Sequence, residues 1–273
     1  MSGRARLAPI SERDRAVLEL LGVTRFASAD QIARAVFASG TPVGRRRRAQ
    51  AALTRMVGEG VLTRLDRRIG GIRAGSAGFV YRLGPRSHRI LGGTAKRPGT
   101  DPAWISVDHQ LAVAELAAQL IEAQRAGHCS ELKMIGEPDC WRKFSSSGGV
   151  RLVKADLEIR FSLEGRRAAL WVEMDRATQA PARIRSKAER YLDYWRTGLE
   201  HQRLGGFPKV LFVAPDLARA EQLSVVLGEI REPAAAMFSV VCEADAVDLM
   251  MSPPAAKKNF EETSQHERRN HEN

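Results

Sequence analysis

Residues 43–59 read VGRRRRAQAALTRMVGE and carry two patterns at once. The apolar residues recur at helical spacing, which predicts an amphipathic helix over 43–59 that packs on one side and is ended by Gly60. The same stretch contains four consecutive arginines, so the helix is also strongly basic. Its apolar stripe consists of Ala49, Ala52, Leu53, Met56 and Val57.

Two shorter helices are predicted before this basic helix. The first opens at Ser11 with the polar sequence SERD, has apolar residues between positions 17 and 21, and is expected to end at Gly22. The second opens at Ser28, which forms a capping box with Gln31 because the serine caps the amide three residues on and the glutamine reaches back. Together with the basic helix they predict a three-helix unit.

Two strands are predicted after the three helices, over residues 61–65 and 79–83. The loop between them, residues 66–78, is rich in arginine and glycine. Three helices followed by a basic hairpin are typical of a winged helix-turn-helix domain, which is the fold class that we predict for this part of the chain.

The basic helix is predicted to bind DNA. At 100° per residue, Arg47, Thr54 and Arg55 lie opposite the apolar stripe, and Arg48 and Gln50 flank them. Such side chains on a helix in the major groove reach base edges, so these five are the predicted base-reading residues. Phosphate contacts are predicted for Arg45, Arg46, Arg67, Arg68 and Arg73. The alternatives are a solvated charged face and a protein-interaction module.

The net positive charge of the chain comes entirely from its first hundred residues. The 273 residues include 43 Lys or Arg and 32 Asp or Glu, a formal net charge of +11. Residues 1–100 hold 20 basic and 6 acidic residues, whereas the remainder is slightly acidic. This asymmetry predicts a first domain that binds a polyanion, with double-stranded DNA as the first candidate, and a second domain with another role.

Composition also bounds the domains and the compartment. We predict an α+β protein with a winged helix over residues 1–91, a linker over 92–107, an α/β domain with a mixed central sheet over 108–251, and a disordered tail over 252–273. No apolar run is long enough to span a membrane, the N-terminus lacks a signal peptide, and three widely spaced cysteines predict reduced thiols. We therefore expect a cytoplasmic protein without a membrane partner.

The second domain is predicted to contain helices and strands in the order αβββαβαβ. Asp108 is expected to cap a long buried helix. The expected strands are 132–135, 152–161, 168–175, 210–213 and 238–242, and the other expected helices are 182–195 and 217–229.

Three carboxylates are predicted to converge in this domain. Asp156 is placed on the polar face of the second strand, and Glu173 and Asp175 share one face of the next. Carboxylates held together are destabilising unless a cation, an arginine or a raised pKa compensates them. A divalent ion is one such cation. The alternative is a structural ion-pair network, with Lys154, Arg160, Arg176 and Arg183 as the basic partners.

The element order and these acids resemble the PD-(D/E)XK nuclease fold over about residues 108–214. The resemblance implies that the domain over 108–251 is a nuclease-like α/β domain. The resemblance implies that Asp156, Glu173 and Asp175 hold Mg²⁺ or Mn²⁺ and that a lysine positions the attacking water. Asp175 stands where that family has its lysine, but some members carry the lysine on the following helix, which makes Lys187 the candidate. Some members also use an acid on the first helix, where Glu115 is the candidate and a glutamate paired with an arginine is the alternative.

The chain from about residue 11 to 243 resembles the bacterial replication-relaxation family. The resemblance rests on the order of four short pieces: SERD with the apolar residues after it, Gln31-Ile32-Ala33, DHQLAV from Asp108, and EMDRAT from Glu173 followed by KAERY from Lys187. It implies DNA binding near a replication or transfer origin, with a relaxase or replication initiator as a protein partner.

Three functions are open on the sequence. The first is a DNA-binding accessory protein of plasmid or mobile-element replication or conjugative mobilisation. The second is a metal-dependent endonuclease or nickase, and the third is a transcriptional regulator whose second domain dimerises or senses a ligand. A homodimer is compatible with each of them.

Overall fold

The computed structural model describes residues 10–65, 79–91, 104–146, 148–230 and 234–252. The predicted phosphate-contacting residues Arg67, Arg68 and Arg73 lie outside the described residues, as do most of the predicted linker and nearly all of the predicted tail. No helix in these five described ranges is both long and apolar enough to cross a membrane.

The first part of the chain folds into helices around a small antiparallel sheet. The strand order is β1-β3-β2, with both neighbouring pairs antiparallel. Thr41 caps α3 and Pro42 occupies its first turn, where a missing N–H costs nothing. The elements are α1 (Glu12–Thr24), β1 (Ala27–Ser28), α2 (Ala29–Val36), α3 (Pro42–Gly58), β2 (Leu62–Leu65), β3 (Val80–Leu83) and α4 (Ser87–Ile90).

Most of the local predictions for this part are confirmed. Ser28 and Gln31 form the expected capping box at the start of α2. The predicted end of α1 at Gly22 is wrong, because the helix continues to Thr24 and closes at Arg25, whose N–H bonds the carbonyl of Leu21. A glycine inside a helix costs about 1 kcal/mol but does not end it when the following residues are buried.

The second part of the chain is built on a mixed five-stranded sheet of order β10-β9-β8-β7-β4. The pairs β4–β7 and β7–β8 are antiparallel, whereas β8–β9 and β9–β10 are parallel. The predicted mixed α+β fold is confirmed at this level. The elements are α5 (Trp104–Arg125), β4 (Ser130–Gly136), β5 (Arg142–Ser146), β6 (Gly149–Val153), β7 (Leu157–Leu163), β8 (Arg166–Met174), α6 (Pro181–Arg196), α7 (Leu199–Leu204), β9 (Lys209–Ala214), α8 (Leu217–Gly228), β10 (Phe238–Cys242) and α9 (Ala246–Met251).

Three predictions for this part are corrected. The long helix begins at Trp104, not at Asp108, so Asp108 lies inside it. The single predicted strand over 152–161 is two strands, β6 and β7, and β6 pairs instead with β5, which was not predicted. The predicted polar face of that strand is wrong as well, because Asp156 and Glu158 are both buried. Alternation of apolar and polar residues is typical of a strand with one face exposed to solvent. At this end, however, both faces of β7 are covered, so the polar residues are buried too.

Helix α5 packs against both parts of the chain. Its Ala114, Ala117 and Ala118 join the core formed by α1, α2 and α3, whereas Val113, Leu116 and Leu120 belong to the core under the five-stranded sheet. Gly136, the last residue of β4, lies against the backbone of Val23 in α1. The first part of the chain is therefore held against the edge of the five-stranded sheet.

Candidate functional site

The predicted acidic residues lie near one end of the five-stranded sheet, where β8 ends and the chain enters β7. Asp156 precedes β7, and Glu173 is the penultimate residue of the central strand β8. Both carboxylates are almost fully buried. The helices α5 and α6 supply the polar side chains that face them.

Asp156 is fixed by hydrogen bonds to both of its carboxylate oxygens. The backbone N–H of Met174 donates to Oδ2 over 2.7 Å, and Nε2 of His109 lies 3.1 Å from Oδ1. Burial lowers the pKa of His109, but the hydrogen bond and the charge of Asp156 outweigh burial, so that the pKa is raised above its usual value. Sequence reasoning treated His109 as a residue at the start of a helix, which is wrong because α5 begins five residues earlier.

Glu173 also has a donor on each carboxylate oxygen. Nζ of Lys187 lies 2.6 Å from Oε2, and the hydroxyl of Tyr191 donates to Oε1 over 2.6 Å. Burial, opposed by Lys187, raises the pKa of Glu173 to about 7. Burial lowers the pKa of Lys187, but the charges of Glu173 and Asp156 and the hydrogen bond to Glu173 together outweigh burial, so that the pKa is raised. The structure therefore brings Asp156, Glu173 and Lys187 into one site.

Asp175 does not share this site. Its two carboxylate oxygens accept from Nε and Nη2 of Arg219 on α8, over 2.9 and 3.0 Å, and Oδ1 also accepts the N–H of Ala177. The ion pair is buried. The structural alternative for this residue, a pair with an arginine, is what the structure shows, but the partner is Arg219 and not one of the predicted residues.

Two further glutamates are linked to the first part of the chain. Glu137, after β4, pairs with Arg25 at the end of α1 over 3.1 Å, and burial followed by the charge of Asp156 raises its pKa. Glu115 on α5 pairs with Arg34 on α2 over 2.5 Å. Glu115 is thus a glutamate paired with an arginine, which was the alternative stated for it.

The carboxylates do not fit a resident divalent cation. Each oxygen of Asp156, Glu173 and Asp175 already accepts from a nitrogen or hydroxyl of the protein. Across the described ranges, no group of three or more His, Cys, Asp and Glu side chains is placed to hold a metal ion. A Mg²⁺ or Mn²⁺ ion would have to displace these donors before it could bind the carboxylates.

The predicted DNA-contacting helix, α3, has the expected faces. Ala49, Leu53 and Met56 are buried. The opposite face is exposed. Of the predicted residues, Arg46, Arg47, Arg48, Gln50, Thr54 and Arg55 are exposed, and Arg45 is half-buried.

Some of these arginines are occupied by partners within the chain. Arg46 pairs with Asp30 over 3.0 Å, Arg48 donates to the carbonyl of Ser39, and Arg55 pairs with Asp14 over 2.7 Å. By contrast, Arg47, Gln50 and Thr54 form no side-chain hydrogen bond or ion pair with any residue in the described part of the chain. These three exposed side chains can contact a ligand without breaking a bond to another residue in the described part of the chain.

Sequence reasoning missed His109, Tyr191, Glu137, Arg25 and Arg219. His109, Arg25 and Arg219 are far in sequence from the carboxylates that they contact, and no spacing rule connects them. Glu137 is equally far from Arg25. Tyr191 was assigned to the core, and one signal pointed to it, because it lies four residues after Lys187 and so on the same face of α6.

A family model described as replication-relaxation matches residues 18–210, more than two thirds of the chain. No curated protein and no solved structure matches the chain. The resemblance stated from the short sequence pieces is thereby confirmed, over a somewhat shorter stretch. The chain belongs to the replication-relaxation family.

Proposed function

We propose that this chain is a DNA-binding accessory protein of plasmid or mobile-element replication or conjugative mobilisation. Membership of the replication-relaxation family indicates a replication- or relaxation-related function. We further propose that the first part of the chain recognises DNA. We also propose that the protein partner is a relaxase or a replication initiator and that the chain assembles as a homodimer.

A winged helix is the domain type that we propose for the first part. Three helices, α1 to α3, are followed by the antiparallel pair β2–β3, and β1 completes a three-stranded sheet. The arginine-rich residues 66–78 connect β2 to β3, where a wing would lie. This arrangement supports α3 as the helix that enters the major groove.

The observation that carries the proposal is the exposed face of α3. Arg47, Gln50 and Thr54 are exposed on it and have no side-chain partner in the described ranges. The first turn of α3 contains no acidic residue, so its N-terminus stays favourable for a phosphate.

A binding assay with selected DNA tests this proposal. The full chain is used to select a preferred duplex from a random library, and fluorescence anisotropy then compares that duplex with a scrambled one. Arg47→Ala is expected to reduce the preference for the selected duplex, because removing a side chain that reads a base costs about 1–3 kcal/mol. Arg67→Ala with Arg68→Ala is expected to weaken both duplexes equally and to reduce the salt slope by about 0.9 for each phosphate that the protein no longer neutralises.

Arg185→Ala is the matched control, because it removes the same charge from an exposed arginine that pairs with Glu229, far from α3 in sequence. It is expected to leave the preference unchanged. Equal losses of preference in Arg47→Ala and Arg185→Ala would overturn base reading by α3. Absence of duplex binding by the wild type would overturn the proposed function itself.

Cleavage of a DNA strand is a second candidate function, for which a Mg²⁺ or Mn²⁺ ion would first have to displace the donors that pair with Asp156 and Glu173. One observation favours it: Lys187 on α6 reaches Glu173, which is where the nuclease resemblance places a displaced lysine. The test is a topology gel of supercoiled DNA with Mg²⁺, with Mn²⁺ or with a chelator. Nicked product from the wild type but not from Glu173→Ala or Lys187→Met would support cleavage, whereas unchanged DNA with retained duplex binding would leave the accessory function alone.

A further inference from the structure

Three ion pairs lie close together at the contact between the first part of the chain and the five-stranded sheet. Arg25 pairs with Glu137 over 3.1 Å, His109 with Asp156 over 3.1 Å, and Lys187 with Glu173 over 2.6 Å. The basic residues come from the end of α1, from α5 and from α6. The proposed cleavage reaction uses only the last of these pairs and Asp156.

The strand register places the three pairs within one site. Gly136 of β4 pairs with Leu157 of β7, so Glu137, the next residue, comes beside Asp156. Leu157 also pairs with Val172 of β8, which brings Asp156 beside Glu173. The three carboxylates and the basic residues bonded to them therefore form a single cluster. We name it the seam cluster: Arg25, His109, Glu137, Asp156, Glu173 and Lys187.

In each pair the basic side chain is the more exposed partner. The exposed fractions are 51 % for Arg25 against 16 % for Glu137, and 24 % for His109 against 10 % for Asp156. Lys187 is 21 % exposed and Glu173 only 2 %. The seam cluster therefore has its carboxylates inside and its donors towards solvent.

This layering fits an anion. The carboxylates hold the basic groups in place, and a lysine or arginine that gives one N–H to a carboxylate still has others to donate. A cation would first have to displace Lys187 from Glu173. A phosphate oxygen needs no such displacement, because it can accept from the outward N–H groups, and such charge-assisted hydrogen bonds are among the stronger ones.

We propose that Arg25, His109 and Lys187 of the seam cluster bind a phosphate group of the DNA backbone. This inference rests on the proposed function, because it takes DNA as the source of the phosphodiester. It assigns the second part of the chain a contact with DNA separate from that of α3, and it assigns His109 a role in ligand binding. No covalent step is involved.

Nuclear magnetic resonance of the histidine side chains tests the proposal in the full chain. The imidazole signals are followed while a four-nucleotide single-stranded DNA is added, and in parallel while inorganic phosphate is added. The oligonucleotide is too short to show duplex recognition by α3. A saturable shift of the His109 signal is expected with the oligonucleotide, and no shift of His128, which is exposed.

Variants connect the shift to the seam cluster. Arg25→Gln and Lys187→Gln are each expected to weaken the binding of the oligonucleotide at least tenfold, and Lys209→Gln, at an exposed lysine outside the cluster, is expected to leave it unchanged. Because His109→Gln lacks the His109 imidazole signal, its binding of the oligonucleotide is compared with that of the wild type by following backbone amide signals in the same titration. Arg25 is half exposed, so its variant reports on binding even if Lys187→Gln fails to fold.

The outcomes separate this inference from the proposed function. The seam cluster would be overturned as a site for the DNA backbone by any of three results with the oligonucleotide and phosphate titrations. These are no shift of the His109 signal, equal shifts of all histidine signals, or a His109 shift with inorganic phosphate but none with the oligonucleotide. If Arg47→Ala still reduces the preference for the selected duplex in those cases, the proposed function stands. A specific His109 shift without duplex binding would instead leave a phosphodiester site and overturn recognition by α3.

Discussion

The contact between Gly136 and Val23 provides a sharp test of how the two parts of the chain are joined. A Cβ at position 136 would lie 1.9 Å from the carbonyl oxygen of Val23 and 2.7 Å from its carbonyl carbon. Both are backbone atoms, so no side-chain rotation relieves the overlap. Gly136→Ala therefore requires the end of α1 and the end of β4 to separate.

The magnitude follows from the distance. Ordinary contact begins near 3.4 Å, so the backbones must move apart by about 1.5 Å in a region packed to the density of a crystal. Overpacking of a core costs about 1–3 kcal/mol when side chains adjust, and here a helix with buried Leu20 and Leu21 has to move. We expect Gly136→Ala to destabilise the protein by about 3 kcal/mol, which corresponds to a melting temperature lower by roughly 6–12 °C.

Thermal and urea unfolding followed by circular dichroism measure this destabilisation. Gly22→Ala is the control, because a Cβ at that position of α1 meets nothing within 4 Å. It is expected to stabilise the protein by about 0.5–1 kcal/mol, since alanine is the better helix former. A Gly136→Ala protein as stable as the wild type would show that α1 and β4 are not in contact as described, and the reasoning would be refuted.

Two other predictions concern the buried acids. Arg219→Met leaves the buried Asp175 without its partner and is expected to cost about 3–5 kcal/mol in urea unfolding, with most of the stability recovered when Asp175→Asn is added; no recovery would contradict the role of this pair. Because the pKa of Glu173 is raised to about 7, its contribution to stability is fully present below about pH 4.5 and is lost as the pH rises through 7. Glu173→Gln is thus expected to gain stability relative to the wild type from pH 5 to pH 8 in unfolding curves, and a difference that does not change with pH would count against it.

Much of the local structure was predictable because its causes are local. The capping box at Ser28 and Gln31 depends on residues three positions apart, and the stripe on α3 depends on a helical period. The strand β10, over Phe238–Cys242, was predicted with its bounds. The split between β6 and β7 was not predictable, because the residues on both sides continue one apolar alternation and only the pairing of β6 with β5 separates them.

The candidate site was predicted in its residue types but not in its contacts. Asp156, Glu173 and Lys187 were named and do meet, since two adjacent strands and the next helix bring them together. Asp175 was expected beside Glu173, but it follows the last residue of β8 and turns to Arg219 on α8. Two residues of one strand share a face only while the strand continues.

The sequence by itself determined the N-caps of α1 and α2, the basic face of α3, the family and the acids of the sheet, because each depends on residue type and short spacing. Only the tertiary structure decided which groups compensate those acids. His109, Arg25 and Arg219 lie 47, 112 and 44 positions from the carboxylates that they contact. Burial makes an uncompensated carboxylate costly, so the fold supplies a donor for each one, and which donor arrives is set by how distant elements pack.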